Sequence, residues 1–97
     1  MIVVLARMRA KPGQREKIVE AARACVEATR REDGCIGYEL MASTESAEEL
    51  LFVERWDDME VLRRHQRTPH LARFKEAREP LLAGPSEVAV FEATAQG

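Results

Sequence analysis

Both histidines of this chain lie in one short run, His65-Gln66-Arg67-Thr68-Pro69-His70, a few residues after its only tryptophan, Trp56. Imidazole is the side chain whose ordinary pKa lets it take and give a proton near neutral pH. An indole close by offers a flat apolar wall for an aromatic ring. Glu54 stands two positions before Trp56, on the same side of an alternating strand as Phe52, and Phe74 follows nine positions after His65. A carboxylate on an apolar strand face needs a partner such as an arginine, and is then either structural or the base of a pocket. Tyr38 adds a phenol between Ile36 and Leu40. Together these groups are the ones able to do proton or π chemistry near neutral pH, gathered at one end of the fold. Each also has a plainer reading. His65 is equally a core ring bonded to a backbone carbonyl, and His70 a surface ring at a helix start, where the positive dipole end favours its neutral form. Trp56 is equally the largest plug of the core, and Tyr38 a packed phenol with a hydrogen-bond partner.

The elements that position these groups follow from periodicity. Ile2 to Ala10 alternates as a strand, with Ile2, Val4, Ala6, Met8 and Ala10 on one face. After a turn at Lys11-Pro12-Gly13, Gln14 to Arg31 follows a helical period that puts Ile18, Ala22, Cys25 and Thr29 on one side. Asp33-Gly34 closes this helix, Gly34 suiting a left-handed cap. Cys35 to Ser43 and Leu50 to Trp56 read as strands joined by a polar loop, with Ile36, Tyr38 and Leu40 sharing a face. Asp57 or Asp58 caps a helix that runs to about Arg67 and carries His65 on the side of Leu62 and Val61. A second start comes at Thr68-Pro69, with Thr68 as N-cap and Pro69 at the first helical position. His70, Leu71, Phe74, Ala77 and Leu81 then fall on the inner side, and Pro80 frays the end. After Gly84-Pro85, Glu87 to Thr94 is the last strand.

The order β-α-β-β-α-β, with a broken second helix, predicts an α+β, ferredoxin-like domain. It is a four-stranded antiparallel sheet with helices on one face, a single domain over residues 1–97. Its strands are apolar on both faces, so something must cover the open one. A second copy of the sheet is the simplest cover, which predicts a homodimer.

Hydrophobic residues make up 45% of the chain and charged ones 33%, an ordinary balance for a folded soluble protein. The net charge of −2 builds no field for nucleic acid or an anionic membrane. The apolar start, Met1 to Ala6, meets Arg7 too soon for a signal peptide or a membrane span. Cys25 and Cys35 lack CxxC or metal spacing and read as reduced thiols of a cytoplasmic protein, with no dedicated zinc site. No nucleophilic serine with its base, phosphate-binding glycine loop or dinucleotide fingerprint is present.

Asp33-Gly34-Cys35 leading to Tyr38-Glu39-Leu40, Phe52-Val53-Glu54-Arg55-Trp56 before Asp58, and His65 with Thr68-Pro69-His70 and Phe74 resemble the antibiotic biosynthesis monooxygenase domain family, which includes quinol monooxygenases. The resemblance covers almost the whole length. It implies a dimeric α/β barrel with one pocket per subunit between sheet and helices. It further implies oxidation of a quinol or polycyclic phenol by molecular oxygen with no metal or other cofactor. Carried onto this chain, His65 is the base or phenolate partner and Trp56 the stacking wall. Tyr38 or His70 is a secondary polar contact, with Glu54 and Phe74 beside the substrate.

Some relatives degrade haem with an asparagine, a tryptophan and a histidine. Ala6 or Arg7, His65 and Lys75 stand in those places here, so that chemistry loses its residues. Another relative isomerises a phosphorylated sugar-like signal, and its pattern is similar to His65, Thr68-Pro69-His70 and Gly84-Pro85. An isomerase of a small oxygenated metabolite, gripping a phosphate through Arg7, Arg9 or Arg67, and a non-catalytic dimeric ligand-binding protein therefore stand as alternatives.

Overall fold

The computed structural model describes all 97 residues, in the order β1 (Ile2–Arg9), α1 (Arg15–Arg30), β2 (Cys35–Ala42), β3 (Glu49–Trp56), α2 (Met59–His65), α3 (Pro69–Arg78) and β4 (Glu87–Glu92). The strands form one antiparallel sheet in the order β2-β3-β1-β4, and the fold is ferredoxin-like, as expected. No helix is long and apolar enough to cross a membrane.

Alternation decides which side chains reach the site. Ile2, Val4, Ala6 and Met8 of β1 are buried beneath the helices, as are Leu50, Phe52, Glu54 and Trp56 of β3. The register pairs Val4 with Glu54 and Glu54 with Tyr38, so these three form one row across the helix side of the sheet. Pairing of β2 with β3 shifts between Cys35 and Gly37. A bulge of this kind breaks the two-residue period. Ile36, expected beside Tyr38 and Leu40, is consequently 45% exposed, while Tyr38 is buried.

Helix α1 buries Ile18, Ala22, Cys25 and Thr29, the stripe its period predicts. Gly34 does take a left-handed conformation, with φ of 86°. A Cβ there would sit 2.7 Å from both methyl carbons of Val61 on α2. The Gly34 carbonyl also accepts from the Asp57 N–H at 2.9 Å, so the turn after α1 is clamped to the start of α2. Gly34→Ala should therefore destabilise the fold by about 2 kcal/mol or more, combining left-handed strain with the clash. Thermal unfolding should show a drop in Tm of about 10 °C; an unchanged Tm would mean that α2 yields freely at this contact.

The broken second helix is real, with two departures in detail. Asp58 caps α2 by accepting from the Val61 N–H at 2.9 Å. Thr68 occupies the N-cap of α3, but its hydroxyl donates backward to the His65 carbonyl at 2.8 Å instead of capping forward. It thereby ties the end of α2 to the start of α3. On α3 only Leu71 and Phe74 are buried; Ala77, expected inward, is exposed. Pro80 falls in a 3-10 turn, Glu79–Leu81, which finishes the helix. All of β4 is exposed, including Val88 and Val90 on the helix side, because the helices stop short of this edge.

Candidate functional site

The break between α2 and α3 sets His65 at the end of one helix and His70 in the first turn of the next, with ring centroids 6.2 Å apart. Between them lies a residue with no counterpart among the expected site residues, Glu32, from the turn that Gly34 closes. Its Oε2 lies 2.8 Å from Nδ1 of His65 and 2.7 Å from Nε2 of His70. A carboxylate only accepts, so both ring nitrogens donate to it. His65 thereby carries a proton on Nδ1 and leaves Nε2 unbonded, whereas His70 turns its Nε2–H to the same oxygen. Burial holds the His65 pKa below the ordinary imidazole value, against the upward pull of Glu32. His65 is therefore a neutral acceptor at physiological pH.

Behind His65 stands Trp56, fully buried, its ring centroid 4.5 Å from the imidazole. Its Nε1–H donates to Glu54 Oε1 at 3.1 Å. The partner of Glu54 is thus an indole rather than an arginine, and one neutral donor does not offset the loss of water around a carboxylate. Burial pushes the Glu54 pKa up to about 7, with Trp56 pulling it down and the charge of Glu32 adding to the rise. Tyr38 packs against Phe52, Trp56 and His65 at centroid distances of 5.0, 6.2 and 5.4 Å. Burial foremost, then the charge of Glu54, drives its pKa far above the usual phenol value, so Tyr38 stays protonated.

A cavity of about 110 Å³ opens between the sheet and α2–α3. His65, Tyr38, Glu54 and Phe74 all line it, with Val4 and Phe52 among its apolar walls. Trp56 and His70 do not: Trp56 backs His65, and His70 braces Glu32. The site can hold a small, largely apolar molecule beside one fixed imidazole lone pair and one carboxyl that titrates near neutrality, with the Tyr38 ring in its lining and the Tyr38 hydroxyl beside the Cys25 thiol. Sequence reading missed Glu32, Lys75, Arg78 and Ser86, the last three on the cavity lining.

Glu32, His65 and His70 are also the group that could hold a metal ion, their ligand atoms all lying within 4.8 Å of one another. Two imidazoles and a carboxylate suit several divalent metals. With both nitrogens hydrogen bonded to one oxygen, an entering ion would displace both protons and push Oε2 aside.

The anchoring role of Glu32 gives a direct test. Long-range ¹H–¹⁵N spectra at about pH 8, where imidazole is neutral, should show His65 protonated on Nδ1 and His70 on Nε2. Glu32→Ala should abolish that split and lower stability by about 1–3 kcal/mol, because a buried N–H loses its acceptor. Identical tautomers in the wild type would contradict the bridge.

The family model for antibiotic biosynthesis monooxygenases matches residues 1–77. The chain is 31% identical over 91 residues to the Synechocystis sp. protein sll1783, covering 94% of itself but only 62% of that protein's length. It is 28% identical over 87 residues to the Escherichia coli K12 protein named "Probable quinol monooxygenase YgiN", covering 79% of this chain and 84% of that one. Among solved structures, Rv0793 of Mycobacterium tuberculosis superposes with a TM-score of 0.89 at 29% identity, over 98% of this chain and 96% of that one. With a match over most of its length and a shared fold, the chain belongs to the antibiotic biosynthesis monooxygenase family.

Proposed function

We propose that this protein oxidises a quinol with molecular oxygen in the cavity beside His65, without a bound cofactor. The observation that carries the reading is the His65 imidazole, neutral, locked by Glu32 and backed by Trp56, on the wall of a small apolar cavity. The family supports the reaction class, and the name of the E. coli relative supports a quinol.

In this reading His65 Nε2 accepts a phenolic proton, and the protonated imidazole remains hydrogen bonded through Nδ1 to the Glu32 carboxylate. The resulting quinolate is electron-rich enough to reduce oxygen in a site that sheds water. Glu54, close to half-protonated at neutral pH, can return a proton to a departing oxygen. The atoms balance: a hydroquinone and O₂ give a hydroxyquinone and water. One oxygen atom enters the ring, and the other leaves as water with two of the quinol's hydrogens, so no further reductant is needed.

The test is oxygen uptake by metal-stripped protein with a panel of reduced quinones and naphthols. Uptake well above autoxidation supports the reading, and none with any of them removes it. A second reading draws on the pairing of Glu54 with His65, since two acid–base groups on one cavity also suit proton shuttling in an isomerase. Turnover under nitrogen would favour it, and saturable binding with no product in either gas would leave a ligand-binding protein.

The open side of the sheet supports a homodimer of the α/β barrel type. Register places Val3, Leu5, Leu51, Val53 and Phe91 on this face, the last 48% exposed. An apolar sheet face of this kind calls for cover. Sedimentation at micromolar concentration should give twice the chain mass, and a monomer would contradict the assembly. The two unpaired cysteines fit a cytoplasmic setting.

A further inference from the structure

The cavity lining holds two polar groups that the fold leaves without partners. The Nε of Arg78 and the hydroxyl of Ser86 are both buried and unbonded, and both residues line the cavity. Arg78 is held only weakly. Its Nη1 donates to the thioether of Met8 at 3.4 Å, and its guanidinium lies 5.4 Å from the centre of the Phe74 ring. No carboxylate stands within ion-pair distance of it, in contrast to Arg9, Arg23 and Arg55. A guanidinium keeps its charge even when burial lowers its pKa. A half-buried cation with no direct ion pair, only the more distant charge of Glu79, and without full hydrogen bonding is costly, and such a group in a native fold asks for an explanation. Lys75 lines the same cavity and adds a second positive charge.

Size narrows the occupant. The volume of about 110 Å³ is below the ~150 Å³ of an apolar cavity known to enclose benzene. A single six-membered ring already strains this space, so the lining must give a little to admit one, and a fused polycycle would need a larger rearrangement of α3 or β4.

Resting on the reading of this cavity as the substrate site, we propose that the ligand is a small anionic single-ring quinol, its carboxylate held by the guanidinium of Arg78 and the hydroxyl of Ser86, its hydroxyl edge toward His65. Both protein atoms are sealed from water where they stand. A modest rotation of the Arg78 side chain, restrained only by a sulfur contact and a ring face, brings its planar fork to the carboxylate. Ser86, in the connection before the exposed strand β4, then completes the clasp.

Anaerobic calorimetric titration tests this without requiring turnover. The ligands are 2,5-dihydroxybenzoate and hydroquinone, which differ only in the carboxylate. The acid should bind the wild-type protein at least ~10-fold more tightly, the size of one charge-assisted hydrogen bond of roughly 1.4 kcal/mol. Arg78→Met, which keeps bulk and removes charge, should remove most of the preference for the acid. Ser86→Ala should cost several-fold for the acid and nothing for hydroquinone. Equal binding of the two ligands to the wild type, or a preference undiminished in Arg78→Met, would overturn the proposal. Should Arg78→Met fail to fold by circular dichroism, the wild-type comparison and Ser86→Ala decide it. Acid-selective binding with no oxygen uptake would sink the oxygenase reading and leave this one standing. Uptake with neutral quinols and no preference for the acid would do the reverse.

Discussion

Glu54→Gln is expected to stabilise the protein at alkaline pH and to do nothing of the kind in acid. Burial raises the Glu54 pKa from 4.5 to about 7, so the folded state binds this proton more tightly than the unfolded chain does. The stability that protonation brings is full below about pH 4.5 and is lost as pH rises to about 7, where the buried carboxylate ionises. At 1.36 kcal/mol per pKa unit the loss is about 3 kcal/mol, an order-of-magnitude figure for a side chain this buried. Glutamine cannot ionise, and its carbonyl still accepts from the Trp56 indole. Melting curves should show the variant's advantage over wild type growing by about 15 °C between acid and alkaline pH. A difference in Tm that stays flat with pH would mean that Glu54 titrates as an ordinary carboxylate and is no acid–base group. His65 runs with the opposite sign: its pKa is lowered, so its contribution is present above the ordinary imidazole range and fades in acid. Comparing variant with wild type at each pH cancels it.

His65→Ala carries the largest effect on turnover. A positioned general base contributes about 10²–10⁴ in rate, and no other group on the cavity is a neutral acceptor anchored from behind. Once a substrate has been found, kcat should fall by about that factor while KM changes little, because His65 supplies proton transfer rather than most of the contact area. The wild-type pH profile should rise through an apparent pKa below the usual value for histidine, and the variant should lack that limb. A variant with near-normal kcat would move the chemistry to Glu54 or away from the cavity.

Much of the scaffold is legible in the sequence because it depends on local period. The alternation of β1, the stripe Ile18, Ala22, Cys25, Thr29 on α1, the turn at Gly34 and the restart at Pro69 are each written within a few neighbouring residues. The presence of His65, Tyr38, Glu54 and Phe74 on one cavity follows from those periods once the sheet order is known. Glu32 does not. It meets histidines 33 and 38 positions away through a turn, and in the sequence it is one more acid at the polar end of a helix. Arg78 is hidden in a similar way: the helical period marks a charged residue as solvent-facing, while its long stem folds back over Phe74 toward Met8. The bulge that throws Ile36 outward leaves no mark that propensity can detect. Trp56 is a core plug by composition and a stacking wall only by the family resemblance; in the structure it is fully buried against His65 and off the cavity lining.

The most direct test of the central claim is the fate of the oxygen atoms. Metal-stripped protein would be incubated with a reduced quinone under ¹⁸O₂, and the product and water analysed by mass spectrometry. Incorporation of one labelled atom into the product and one into water, lost in His65→Ala, is the predicted result. A product carrying only unlabelled oxygen, formed equally well under nitrogen, would contradict it.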